Sequence, residues 1–157
     1  MSFFYDSIFG TVLNRFVVQS IAGFPLTVYG KGNQKRGYLN IIDTLKCIRI
    51  AIENPPKKGE LKIFNQFTEV FTVNELAERV LEAAKNFGFK NLKIRKINNP
   101  RVEMEDHYYN PINESFKSLG LKANKLSTSF LENLIEDLLT YKSKINISEI
   151  LPNIKWK

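Results

Sequence analysis

Two arginines stand out among the residues able to do chemistry. Arg36 follows the loop GKGNQK, which carries Gly30, Gly32, Lys31 and Lys35, and it precedes Gly37 and an apolar run. Glycines let a backbone bend and approach a ligand closely. A guanidinium held beside them suits a phosphate, which its planar fork grips through two parallel hydrogen bonds. Arg101 follows Pro100 in the irregular acidic stretch NNPRVEMEDHYYN. Two separated arginines can hold one diphosphate between them. Tyr29 closes the apolar run before the loop and is placed to stack on a base, although core packing is the commoner fate of such a tyrosine. Val12 and Leu13 mark the first turn of a helix, whose backbone N–H groups form an anion site.

Other chemistry finds little support. The chain has one histidine, His107, and one cysteine, Cys47, so no His/Cys metal cluster can be built. His107 lies among Glu103, Glu105 and Asp106. A structurally hydrogen-bonded histidine is the better reading there than a metal ligand. Those carboxylates are too close together for an acid/base pair, and no Ser-His-Asp or Cys-His spacing is present.

These residues sit on a recognisable series of elements. Helical periodicity covers 8–22 and ends at Gly23 and Pro25. Strands are expected over 26–29 and 38–42, flanking the basic loop as a hairpin. Asp43 then caps a helix that buries Leu45, Ile48, Ala51 and Ile52 and stops at Asn54-Pro55-Pro56. A strand over 61–66 is followed by a helix over 72–87. Thr72 and Glu75 form its capping box, Phe71 and Leu76 its hydrophobic staple, and Gly88 stops it. A strand over 92–97 is expected to pair in parallel with 61–66, because a helix lies between them. A short helix over 114–119 and a last amphipathic helix from Ser127 or Ser129 to Lys142 complete the α+β pattern: three to four helices on small sheets.

At 157 residues the chain reads as a single domain, 1–157. It has no apolar run long enough to cross a bilayer, and a single cysteine fits a reducing, cytoplasmic setting. The net charge of +7 favours an anionic partner. The lysines are scattered and no stacking platform or reading helix is evident, so nucleic acid is an unlikely partner.

The motifs YGKGNQKRGYLNIIDT, FNQFTE with VNELA, NPRVEMEDHYYN and ILPNIKW carry a resemblance over essentially the whole chain. The sequence resembles the C-terminal, substrate-binding half of the extended short-chain dehydrogenases that act on nucleotide sugars, and within them the UDP-sulfoquinovose synthase family. The resemblance implies a UDP-sugar ligand, UDP-glucose first, and a reaction with sulfite that yields UDP-sulfoquinovose through a bound NAD. It implies that the backbone at Val12 and Leu13 meets the UDP phosphates. It puts Thr27 and Tyr29 beside the uracil, Gln34 near the sugar nucleotide, and Arg36 and Arg101 on the diphosphate.

The sequence also departs from that family. It has no glycine-rich dinucleotide fingerprint at a strand-to-helix turn. No tyrosine has a lysine four residues on, so the family's acid/base pair is missing. The expectation is a fragment that lacks the NAD-binding half, does not bind NAD alone, and is inactive in isolation. Its partners would be a separately encoded N-terminal half or copies of itself.

Overall fold

The computed structural model describes residues 3–5, 10–99 and 109–150. Two compact units divide the chain: Met1–Gln34 with Thr72–His107 and Ser127–Lys157, and Lys35–Phe71 with Tyr108–Leu126. The described residues hold six α-helices and four short strands, the mixed pattern expected, with two of the helices only four residues long.

The first unit is built on helix α1 (Val12–Ala22). The Thr11 side chain accepts from Asn14 N and caps the helix at Val12, while residues 8 and 9 of the expected helix lie outside the described residues. Gly23 stops it at φ 75°, a left-handed turn that a side chain would strain, and Phe24 N donates back to Gln19 O. Strand β1 (Leu26–Tyr29) runs parallel to the strand at Ile94–Ile97, with Leu26 opposite Ile94 and Tyr29 opposite Ile97.

Helix α3 (Val73–Asn86) packs on α1, on β1 and on helix α5 (Thr128–Leu139). Its capping box of Thr72 and Glu75 is present as the sequence required. Ser127 is the cap of α5. The core consists of Phe16, Val17, Ile21, Leu26, Val28, Leu76, Val80, Leu131, Ile135 and Ile150, with small Ala77, Ala83 and Ala84 on α3. Each large apolar side chain buried here contributes about 1.5–3 kcal/mol. A single turn of 3₁₀ helix (Lys142–Lys144) and helix α6 (Ile147–Ile150) close the unit.

The second unit carries strand β2 (Lys35–Tyr38), helix α2 (Ile41–Glu53), strand β3 (Glu69–Thr72) and helix α4 (Ser115–Ser118). Strands β2 and β3 pair, leaving the strand at Ile94–Ile97 as β4. Cys47, Phe116 and Leu121 form a small core with Ile50, Ala51 and Phe64, and the rings of Phe64 and Phe116 lie 4.9 Å apart.

Four expectations are corrected. Residues 26–29 and 38–42 do not form a hairpin: β1 pairs with β4 and β2 with β3. The second strand ends at Tyr38 and the helix begins at Ile41, because Asn40 rather than Asp43 supplies the cap, accepting from Ile42 N at 2.9 Å. Residues 61–66 form no strand, and the parallel partner of β4 is β1. Leu61 and Ile63 are 84% and 77% exposed, so no apolar layer holds that segment in a ladder. Finally, α2 buries Asp43 and Cys47 and leaves Leu45, Ile48 and Ile52 exposed. Its apolar residues spread over more than one face, and the unit's own core takes the Cys47 side.

Candidate functional site

The end of β1 is organised from α1. Arg15 and Gln19 are four residues apart and so share one helix face. Both reach the peptide edge of Thr27. Thr27 N donates to Gln19 Oε1 at 3.0 Å, and Arg15 Nη2 donates to Thr27 O at 3.0 Å. A strand's free edge exposes such groups; here two helix side chains satisfy the pair in place of a further strand. Gln19 Nε2 also donates to Thr27 Oγ1 at 2.7 Å and to Ile150 O at 3.0 Å. The Arg15 guanidinium lies over the Tyr29 ring, its carbon 4.2 Å from the centroid.

The loop after β1 is held by α3. Gly30 N donates to Ile97 O, extending the parallel ladder by one residue. Gly32 sits at φ 77°, and a Cβ there would come within 2.3 Å of Asn74 Oδ1. Asn74 N donates to Gly32 O, and Asn74 Nδ2 donates to Lys31 O and Asn33 Oδ1. The glycine is therefore required by close approach of α3 as well as by the turn. Gln34 is buried, with Nε2 at 3.5 Å from Tyr29 O and Oε1 without a hydrogen-bond partner.

The sequence-predicted residues divide as follows. Val12 and Leu13 occupy the first turn of α1, whose N–H groups have no acceptor within the helix. Thr27, Tyr29 and Gln34 are brought together in the first unit: Arg15 meets both Thr27 and Tyr29, and Gln34 lies against the Tyr29 carbonyl. Arg36 belongs to the second unit, on β2, where Nη1 donates to Lys35 O at 2.9 Å. Arg101 lies outside the described residues, as do Glu103, Glu105, Asp106 and His107. Sequence reasoning missed Arg15, Gln19 and Asn74. The first two had a signal, since each is a polar residue inside the apolar periodicity of α1. Asn74 had none.

Titratable groups in the second unit are tuned for structure. Burial pushes the Tyr38 phenol up to about 12, against a smaller opposing pull from Arg36, so it stays protonated at neutral pH. Gly37 N donates to Tyr109 Oη at 3.1 Å beside it. Burial, and then the Asp43 carboxylate, raises the Cys47 thiol, which is the opposite of a reactive cysteine. Among the described residues no group of three His, Cys, Asp or Glu is placed to hold a metal. No helix described is long and apolar enough to cross a membrane.

Comparison with known proteins gives the class first. The fold matches the C-terminal part of NAD-dependent nucleotide-sugar epimerases and dehydratases. A UDP-N-acetylglucosamine 4-epimerase from Methanobrevibacter ruminantium, solved with UDP-N-acetylmuramic acid, superposes with TM-score 0.66 at 13% identity, over 86% of this chain and 41% of that one. A UDP-glucose 4-epimerase from Thermotoga maritima, solved with UDP-glucose, gives 0.63 at 19% identity, over 87% and 41%.

Within that class the sequence matches UDP-sulfoquinovose synthase. It is 48% identical to the chloroplastic enzyme of Spinacia oleracea over 155 residues, 99% of this chain and 32% of that protein. It is 43% identical to the enzyme of Sulfolobus acidocaldarius over 157 residues, 99% of this chain and 40% of that protein. The chain thus spans 32–40% of the length of these two relatives. No family model matches.

Proposed function

We propose that the chain is the UDP-sugar-binding portion of a UDP-sulfoquinovose synthase-like enzyme, acting over 1–157 as one substrate-binding domain and inactive in isolation. The whole enzyme would convert UDP-glucose and sulfite to UDP-sulfoquinovose in the cytoplasm. The observation that carries the reading is a match over 99% of the chain to two such synthases of different origin. The backbone at Val12 and Leu13 meets the phosphates, Thr27 and Tyr29 lie beside the uracil, Gln34 is near the sugar nucleotide, and Arg36 and Arg101 hold the diphosphate.

NAD does not fit the residues in hand. Among the described residues, the glycine-bearing loop that follows a strand, at Gly30 and Gly32, is filled by Asn74 and leads to β2, not to a helix that could receive a pyrophosphate. The test is calorimetric titration with UDP. Arg36→Ala and Arg101→Ala are each expected to weaken binding by roughly 10- to 100-fold, the scale of a hydrogen bond to a charged group. Unchanged affinity in both variants would remove the diphosphate assignment.

A second reading is favoured by one observation, the outer face of α2. Ile41, Ile42, Leu45, Ile48 and Ile52 follow helical spacing and are 47–73% exposed. Large exposed apolar patches mark interaction surfaces. We infer that this face docks a nucleotide-binding half, since the solved neighbours of the same fold carry more than twice this chain's length. Sedimentation of the chain by itself is expected to show a monomer that binds such a half. Leu45→Glu with Ile48→Glu should weaken that complex by roughly 10-fold or more. A concentration-dependent dimer lost in the same variant would instead make the face a self-association surface.

A further inference from the structure

The relation between Arg15 and Tyr29 goes beyond what an edge cap requires. Nη2 on Thr27 O already satisfies the strand. Yet the guanidinium also sits over the ring of Tyr29, two residues along the same face of β1, at 4.2 Å. Tyr29 ends the strand with its ring half-buried, and its backbone is fixed opposite Ile97. A cation over an aromatic face is attracted to the ring. Only the flat fork of an arginine can lie on that ring and donate sideways to a carbonyl at once; lysine offers a point charge. The ring's orientation is thus set from α1 before any ligand arrives.

We propose that Arg15 is a positioning residue for nucleobase recognition, holding the Tyr29 ring as a ready stacking surface for a pyrimidine base without itself meeting the phosphates. The inference rests on the UDP-sugar reading and adds to it a residue on which base affinity depends. A tyrosine already held in its bound rotamer loses less freedom on binding.

The test titrates the full chain with UDP, uridine and inorganic pyrophosphate. Arg15→Ala is expected to weaken UDP and uridine by roughly 5- to 30-fold and to leave pyrophosphate unchanged. Arg15→Lys should fall between the two, and Arg15→Ala should cost nothing further once Tyr29 is alanine. Retained pyrophosphate binding shows that the variant is folded. Equal losses for pyrophosphate and UDP would make Arg15 a phosphate contact and overturn the inference. So would wild-type affinity for UDP in Arg15→Ala, with the UDP-sugar reading left standing. A wild-type chain that binds none of the three ligands overturns that reading and this inference together.

Discussion

Asp43→Ala is expected to lower the unfolding free energy by about 1–3 kcal/mol, the cost of removing a buried carboxylate acceptor whose cationic partner, Lys46, stays partly exposed. The carboxylate is fully buried. It accepts from Lys46 Nζ at 2.9 Å, from Asn124 N at 2.6 Å and from Asn124 Nδ2 at 2.6 Å. Lys46 also donates to Lys122 O, and Glu69 accepts from Leu126 N. The irregular segment 122–126 is therefore held by side chains, with Asp43 accepting from both Asn124 donors. Alanine takes the acceptor away from both Asn124 donors, and because Asn124 is itself exposed, water replaces part of what is lost. A urea titration followed by circular dichroism reads the loss. Wild-type stability in the variant would show that water replaces the carboxylate at no cost.

The same group predicts an acid limb. Burial alone raises Asp43, but Lys46 and the Asn124 hydrogen bonds outweigh it and hold the carboxyl below its ordinary 3.8. A depressed folded-state value means that the unfolded chain takes up the proton first as pH falls. The contribution is complete above about pH 5, shrinks as pH falls toward the unfolded-state value, and is lost once pH passes the lower folded one. Asp43→Asn should flatten this limb, because the proton that couples folding to pH is gone.

Gln19→Leu is expected to cost about 2–4 kcal/mol, although it adds apolar volume to an apolar site. For a chain of this size that is a fall of about 5–15 °C in Tm. The amide ties three elements together: Oε1 takes Thr27 N from the edge of β1, while Nε2 serves both Thr27 Oγ1 and the carbonyl of Ile150 on α6. Leucine leaves the Thr27 N–H and the Ile150 carbonyl buried with no partner. Thermal unfolding by calorimetry measures the effect. An unchanged midpoint would mean that the strand edge and α6 find other partners. Because Thr27 is in the proposed uracil site, the variant should also weaken UDP binding, whereas Asp43→Ala alters the other unit.

The local signals in the sequence were strong wherever the information was short-range. Thr72 with Glu75, Gly23 and Gly88 fixed helix ends that the structure reproduces, because a cap is decided within four residues. The cap of α2 was misplaced for the same kind of reason: Asn40 and Asp43 are both good caps, and only the distant Asn124 draws Asp43 into the interior. The site followed this division. Val12, Leu13 and Tyr29 are singled out by their places on α1 and β1, and Thr27 by the family resemblance; their role as a uracil and phosphate site is the proposal above. Arg15 carries only the weak signal of a polar residue inside an apolar periodicity, and its contact with Tyr29 is evident only with β1 laid beside α1.

By itself the sequence determined the helices α1, α3 and α5, the α+β class, the resemblance to nucleotide-sugar enzymes, and the lack of a dinucleotide fingerprint. These rest on periodicity, capping and residue identity, which are local properties of the chain. Only the tertiary structure decided that β1 pairs with β4, that residues 61–66 remain outside a sheet, that α2 turns its isoleucines outward, and that Gln19 and Arg15 close the edge of β1. Strand pairing and burial depend on partners far away in the chain, as the 131 residues between Gln19 and Ile150 show. No periodicity in one segment can report which distant segment will satisfy its backbone.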